Sequence, residues 1–167
     1  APTTMVWDGS DYLFLDGPST DSLVLTLDGE IVACGTKDLL TDPLGPLLRE
    51  ISSGASLSSA FSFAPYGTPL SGTPTIPFRY IAAYGYYFDT NDRDYVRARE
   101  LEKRLGRWMQ TDPIWPGESA FGYVGGSPVD LDDRGGYSPT QSPSLFIATF
   151  PKNDAGWWGF EPNAAYN

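Results

Sequence analysis

Four arginines, Arg97, Arg99, Arg104 and Arg107, crowd into residues 95–113 of a chain that otherwise carries 21 acidic against 11 basic residues. A guanidinium is planar, always charged and presents five donors, so it suits fixed carboxylates and carbonyls better than lysine does. The crowding therefore points to arginines that reach inward or sideways to such acceptors. A solvated charged face is the competing reading, and it fits Arg104 better than Arg97 or Arg99, which stand beside strand aromatics. The other chemistry-bearing cluster is Asp130, Asp132 and Asp133. Alternating carboxylates suit a calcium loop, but the EF-hand spacing and its closing glutamate are missing. Neither a metal ligand set nor a cofactor is expected.

What the chain lacks is as informative. It has no histidine, which removes imidazole-based serine triads, Cys–His nucleophiles and most zinc or iron sites. The one cysteine, Cys34, sits in the apolar run Ile31-Val32-Ala33-Cys34 and reads as a buried structural thiol. A net charge of -10 and a pI near 4.2 argue against nucleic acid and anionic membranes as partners. No run is long and apolar enough to cross a bilayer as a helix. The start at Ala1, with Pro2-Thr3-Thr4 behind it, suits a mature secreted chain or an excised fragment.

The elements that must position these groups are mostly strands. The 167 residues fit one domain, and 18 glycines and 15 prolines spread along them favour many short strands joined by turns. Within 95–113, Tyr95, Val96 and Arg97 favour extended geometry. Residues 99–105 are good helix formers with Leu101 and Leu105 four apart, so the spacing predicts one or two helical turns there. Gly106 would stop that helix in the left-handed region, and Trp108 and Met109 would follow in a second extended piece. Upstream, four hairpins are predicted. Val6-Trp7 leads through Asp8-Gly9 into Tyr12-Leu13-Phe14-Leu15, and Leu23–Leu27 turns through Asp28-Gly29 into Glu30-Ile31-Val32-Ala33. Residues 39–41 pair with 47–51 around Asp42-Pro43-Leu44-Gly45, and 61–63 pair with 68–70 around Ala64-Pro65-Tyr66-Gly67.

Residues 52–59 and 70–77 are hydroxyl-rich and read as surface loops, sites for O-linked glycans on an extracellular chain; no Asn-x-Ser/Thr acceptor is present. The aromatic run 78–88 reads as a strand broken near Gly85 and explained by core packing, with a stacking platform as the lesser alternative. A short strand is expected at 121–124. Beyond Gly136 a Ser/Pro-rich linker delivers the β-prone segment Ser144-Leu145-Phe146-Ile147-Ala148-Thr149-Phe150, then Trp157-Trp158-Gly159-Phe160.

Tyr95-x-Arg97-Ala98-Arg99 followed by Leu105-Gly106-Arg107-Trp108-Met109-x-x-Asp112-Pro113-Ile114 resembles the core signature of RHS or YD-repeat proteins. The preceding hairpins resemble the last YD repeats before that core, and 121–136 is similar to the family's closing segment. The resemblance covers about residues 5–136. It implies a mostly β fold: a curled ribbon of antiparallel β-hairpins, here with the one short helix near 99–105 and an extended C-terminal tail. The chain then divides into an RHS-like core (1–136) and a linker with a β-prone tail (137–167).

In large members of the family such a ribbon spirals into a hollow shell, and in several an aspartate-dependent self-cleavage releases the C-terminal segment. The residues that correspond here are Asp112 and Asp133, and two carboxylates brought together can share a proton and act as acid and base. Three departures stand against cleavage: Trp115 replaces the first motif's glycine, Arg134 replaces the second motif's proline, and the tail runs on past Tyr137. A few hairpins cannot close a shell, and open sheet margins invite strand addition. The expected function is therefore non-enzymatic: an extracellular or cell-surface subunit whose copies assemble into a fibre or tube by strand exchange. Leu145, Phe146, Ile147 and Phe150, or alternatively Met5, Val6 and Trp7, would be donated, with Trp157 and Trp158 sealing the contact. The alternative is the core fragment of a polymorphic toxin that cuts itself; a carbohydrate-binding module using the same tryptophans is a third reading.

Overall fold

The computed structural model describes residues 3–9, 11–17, 21–116, 119–137 and 140–141. Among them, seven strands form one antiparallel sheet in chain order: β1 (Thr4–Asp8), β2 (Asp11–Asp16), β3 (Ser22–Leu27), β4 (Glu30–Cys34), β5 (Lys37–Thr41), β6 (Leu47–Ser52) and β7 (Ser56–Leu57). Each strand pairs only with its chain neighbours, which makes the sheet a meandering ribbon with β1 and β7 at its margins. Turn chemistry explains the succession. Asp28 and Gly29 both take positive φ (51° and 79°), the geometry a two-residue primed turn needs between β3 and β4. Asp42 Oδ1 accepts the amides of Leu44 (2.8 Å) and Gly45 (3.0 Å), an Asx turn that folds β5 back onto β6.

A short hairpin follows, β8 (Ser62–Phe63) with β9 (Pro69–Ser71), as its Pro/Gly turn predicts. The chain then crosses the inner face of the ribbon. Glu50, buried on β6, accepts the amides of Thr75 (2.5 Å) and Ile76 (3.1 Å) and the Thr75 hydroxyl (2.7 Å), which fastens the crossing segment to the sheet. The predicted strand over 78–88 is instead a crossing that turns inside the core: Phe78 bridges Tyr87, and Ala82–Tyr84 form one 3-10 turn between left-handed Ile81 and Gly85. Residues buried on every side gain nothing from strand alternation. Here Phe78 and Ala82 pack against Tyr12, Leu15, Val24, Ile31 and Leu47, whereas Tyr80, Ile81, Tyr84 and Tyr86 pack the other way. Cys34 lies buried in the first of these clusters, with its thiol pushed up to about 11 by burial.

A second sheet, β10 (Tyr87–Thr90), β11 (Arg93–Val96), β12 (Arg99–Glu102) and β13 (Arg107–Trp108), closes the other side of that crossing. The helix predicted over 99–105 does not form: Arg99–Glu102 is a strand, and the chain turns through 103–106 into β13. The physical reason is a period of two. Arg99, Leu101 and Lys103 are buried while Glu100 and Glu102 face outward, and burial against tertiary partners outweighs helix propensity. Leu105, expected on the same face as Leu101, is 61% exposed. Gly106 does take the left-handed φ (62°), as the end of this hairpin turn. The strand expected at 121–124 reduces to a bridge between Gly122 and Arg107, followed by a 3-10 turn at Val124–Gly126. The predicted loop 52–59 contains β7. Last, β14 (Leu131–Asp132) pairs with β15 (Thr140–Gln141).

The ribbon's outward face is rich in exposed leucine, with Asp38 among them. Val6 aligns with Phe14 and Phe14 with Leu23; two residues on along β3, Leu25 aligns in turn with Ala33, Asp38, Ile51 and Leu57. Leu23 is 61% exposed, Leu25 49% and Leu57 56%, although leucine on a strand normally marks the buried face.

Candidate functional site

Arg99 is the centre of the site. The turn that precedes it, Arg97-Ala98, is tight: Val96 pairs directly with Arg99, and Arg97 holds a left-handed φ of 45°. Arg97 is fixed there by its own guanidinium, which donates to the carbonyls of Tyr84 and Arg134 and lies over the rings of Tyr12 and Trp7. The turn starts β12 with Arg99 pointing inward.

Each of the three nitrogens of the Arg99 guanidinium donates a hydrogen bond. Nη1 donates to Asp112 Oδ2 (2.6 Å), Nη2 to Asp133 Oδ2 (2.9 Å) and Nε to the carbonyl of Gly136. Its planar face lies 4.3 Å from the centroid of Trp108. All three charged side chains are at most 2% exposed. The remaining carboxylate oxygens are also used: Asp112 Oδ1 accepts the amide of Ile114 (2.9 Å), and Asp133 Oδ1 accepts the amide of Tyr137 (3.0 Å). Burial raises the Asp133 carboxyl above its ordinary range, while the Tyr137 amide and Arg99 pull it back down. Behind Asp133, Tyr86 accepts its amide (3.1 Å) and donates to its carbonyl (2.9 Å), so the loop is pinned from both ends of one residue.

The predicted pair of carboxylates is thus brought together, but on a guanidinium. Each takes a different nitrogen of Arg99, and four N–H donors hold the four oxygens. Such an arrangement fixes the backbone at Gly136 and Tyr137. It also grips one peptide bond: the Gly136 carbonyl is on Arg99 and the Tyr137 amide on Asp133. Only glycine fits at 136, because a Cβ there would stand 2.5 Å from the Val96 carbonyl oxygen at a φ of 70°.

Other predicted residues fall elsewhere. Tyr95 is half-buried on the face of β11 opposite Asp94 and Val96. Arg104, Leu105 and Arg107 are exposed, so the latter two do not organise the core, whereas Trp108 is buried at the cluster. Asp130 is exposed while Asp132 and Asp133 turn inward, and among the described residues no group of three or more His, Cys, Asp or Glu could hold a metal ion. Met5 and Trp7 face the core from β1, and Val6 faces out. Leu145, Phe146, Ile147, Phe150, Trp157 and Trp158 lie outside the described residues. Sequence reasoning missed a second buried ion pair, Lys103 Nζ on Asp94 Oδ1 (2.8 Å). The alternation Arg99-x-Leu101-x-Lys103 was the signal that could have found it.

No protein-family model matches this chain, and no curated protein matches it at the significance required. Solved structures do. The crystal structure of TcdB2-TccC3-Cdc42 aligns over 81% of this chain at 17% identity with a TM-score of 0.59. The fold is RHS-like. The crystal structure of TcdB2-TccC3-TEV aligns over 80% at 16% identity with a TM-score of 0.57. This chain spans about 8% and 7% of those two chains, so the correspondence is one of fold over a small part of much larger molecules.

Proposed function

We propose that this chain is a structural RHS-like subunit whose copies join through the margins of the large sheet, at the cell surface or outside the cell. The observation that carries the reading is the ribbon itself. Among the described residues it ends at β1 on one side and β7 on the other with no further strand beside either, and it exposes leucines on its outward face. Such margins add strands unless they are covered. Because Thr4–Asp8 is already committed to its own sheet as β1, the donated strand is the tail segment 144–150. The Arg99 cluster then has a mechanical role: it clamps Gly136 and Tyr137 and so sets the point from which the tail departs. O-linked glycans on the hydroxyl-rich loops belong to the same extracellular reading. Removing residues 144–167 should leave folded single chains in size-exclusion chromatography and electron microscopy; polymers that persist unchanged refute the proposal.

One observation favours a second reading, self-cleavage near Tyr137. The Gly136–Tyr137 peptide lies between a guanidinium that can stabilise an oxyanion on Gly136 and a carboxylate that can take a proton from the attacking water and pass it to the departing Tyr137 nitrogen. Water would add to the Gly136 carbonyl carbon, leaving a carboxylate and a free amine. Intact mass separates the readings: a cut at this bond that disappears in Asp133→Asn supports the second one.

A further inference from the structure

The outward row of the ribbon runs from Leu25 through Ala33, Asp38 and Ile51 to Leu57, the margin residue on β7. Leu23 and Leu27 on β3 and Leu40 on β5 are exposed beside this row, so the face is rich in leucine around the single carboxylate Asp38; such a patch on a sheet exposed to water marks a surface that is covered in the working molecule. We infer that its occupant is the Trp157-Trp158-Gly159-Phe160 segment of the tail. This inference rests on the reading of the tail as the donated strand.

Length and composition both select that segment. A strand at 144–150 added beside β7 leaves seven steps from Phe150 to Trp157, a reach of about 23–25 Å at full extension. From that added strand back to Leu25 is five strand spacings, about 24 Å. The aromatic segment can therefore fold back over the whole row, and it is the only stretch after Gln141 that offers two tryptophans and a phenylalanine together. Charge agrees. The chain as a whole is at -10, so two ribbons packed face to face bring like charge together, whereas residues 142–167 carry only Lys152, Asp154 and Glu161. Tryptophan and phenylalanine laid over leucine also bury large area with few rotatable bonds.

Photo-cross-linking of the full chain tests the assignment. With p-benzoylphenylalanine in place of Leu25 or Leu57, and in place of the turn residue Asp28 as a control, irradiated material is digested and the linked peptides are sequenced. Mixing isotopically light and heavy chains tells whether a link lies within a chain or between chains. Links from positions 25 and 57, but not 28, to the peptide holding Trp157 and Trp158 of another chain are expected. The same links confined to one chain keep the docking site and overturn exchange between copies. Links to residues 4–57 of a second copy, or none to the tail, overturn the docking site whether or not polymers form.

Discussion

Arg99 and Asp133, 34 positions apart, meet at 2.9 Å with both side chains withdrawn from water, and the same guanidinium holds Asp112 at 2.6 Å. Removing a partner from such a site leaves charge buried without compensation. Arg99→Met should therefore destabilise the fold by about 3–5 kcal/mol in chemical denaturation. Arg99→Lys should fall between the two, because an ammonium cannot present the three in-plane donors that reach Asp112, Asp133 and Gly136. Equal stability of the methionine variant and the parent would show that the cluster holds nothing.

Asp94 gives the fold a pH dependence. Burial pushes its carboxyl from an ordinary 3.8 to about 6, with Lys103 pulling the other way. Between those values the folded chain binds a proton that the unfolded chain has released, so stability falls as pH rises from about 4 to about 6. Burial shifts Asp42 and Asp133 in the same direction. Denaturation midpoints across that range should decline toward neutrality, and Asp94→Asn should flatten the slope.

The same pair supports a double-mutant cycle. At pH 7, Asp94→Asn strands the Lys103 ammonium, leaving it only the Thr90 carbonyl (3.0 Å) and the Phe88 ring. The single change should lose about 3–5 kcal/mol, and Asp94→Leu with Lys103→Met should recover most of that loss. Additive losses would rule out coupling between the two residues.

Two glycines separate backbone strain from close approach. Gly9 and Gly136 both have positive φ (62° and 70°), but a Cβ at Gly9 meets nothing within 4 Å, while one at Gly136 meets the Val96 carbonyl oxygen at 2.5 Å. Gly9→Ala should lose about 1–2 kcal/mol from strain alone. Gly136→Ala should lose clearly more, and should free the Tyr137 amide to faster hydrogen exchange.

Leucines on the two faces should answer differently to truncation. Leu101→Ala empties a fully buried position and should cost about 2–5 kcal/mol, whereas Leu25→Thr should stay within about 0.5 kcal/mol for the isolated chain. A large loss at Leu25 in a monomeric sample would mean that the face is already covered there.

Much of the ribbon could be read from turn chemistry. Asp28-Gly29 requires positive φ at two consecutive residues, and Asp42-Pro43-Leu44-Gly45 carries its own side-chain acceptor, so those turns hardly depend on context. The segment 99–105 shows the opposite case. Its propensities favour a helix, and the competing period of two at Arg99, Leu101 and Lys103 includes two charged residues, which a hydrophobic pattern does not count as core. The crossing through 78–86 hid its turn for a similar reason: apolar on all sides, it carries no periodicity to read.

The sequence by itself determined that this is a strand-rich chain punctuated by hairpins, without histidine chemistry and with arginines crowded beside its central motif. Those properties are local, written in φ preferences, charge and side-chain chemistry. Only the tertiary structure decided that Arg99 stands between Asp112 and Asp133, that Lys103 answers Asp94, and that the leucines of β3 face outward. The energy of a buried charge or of an exposed apolar row depends on what chain folding brings opposite it, and residues 34 positions apart carry no local sign of meeting.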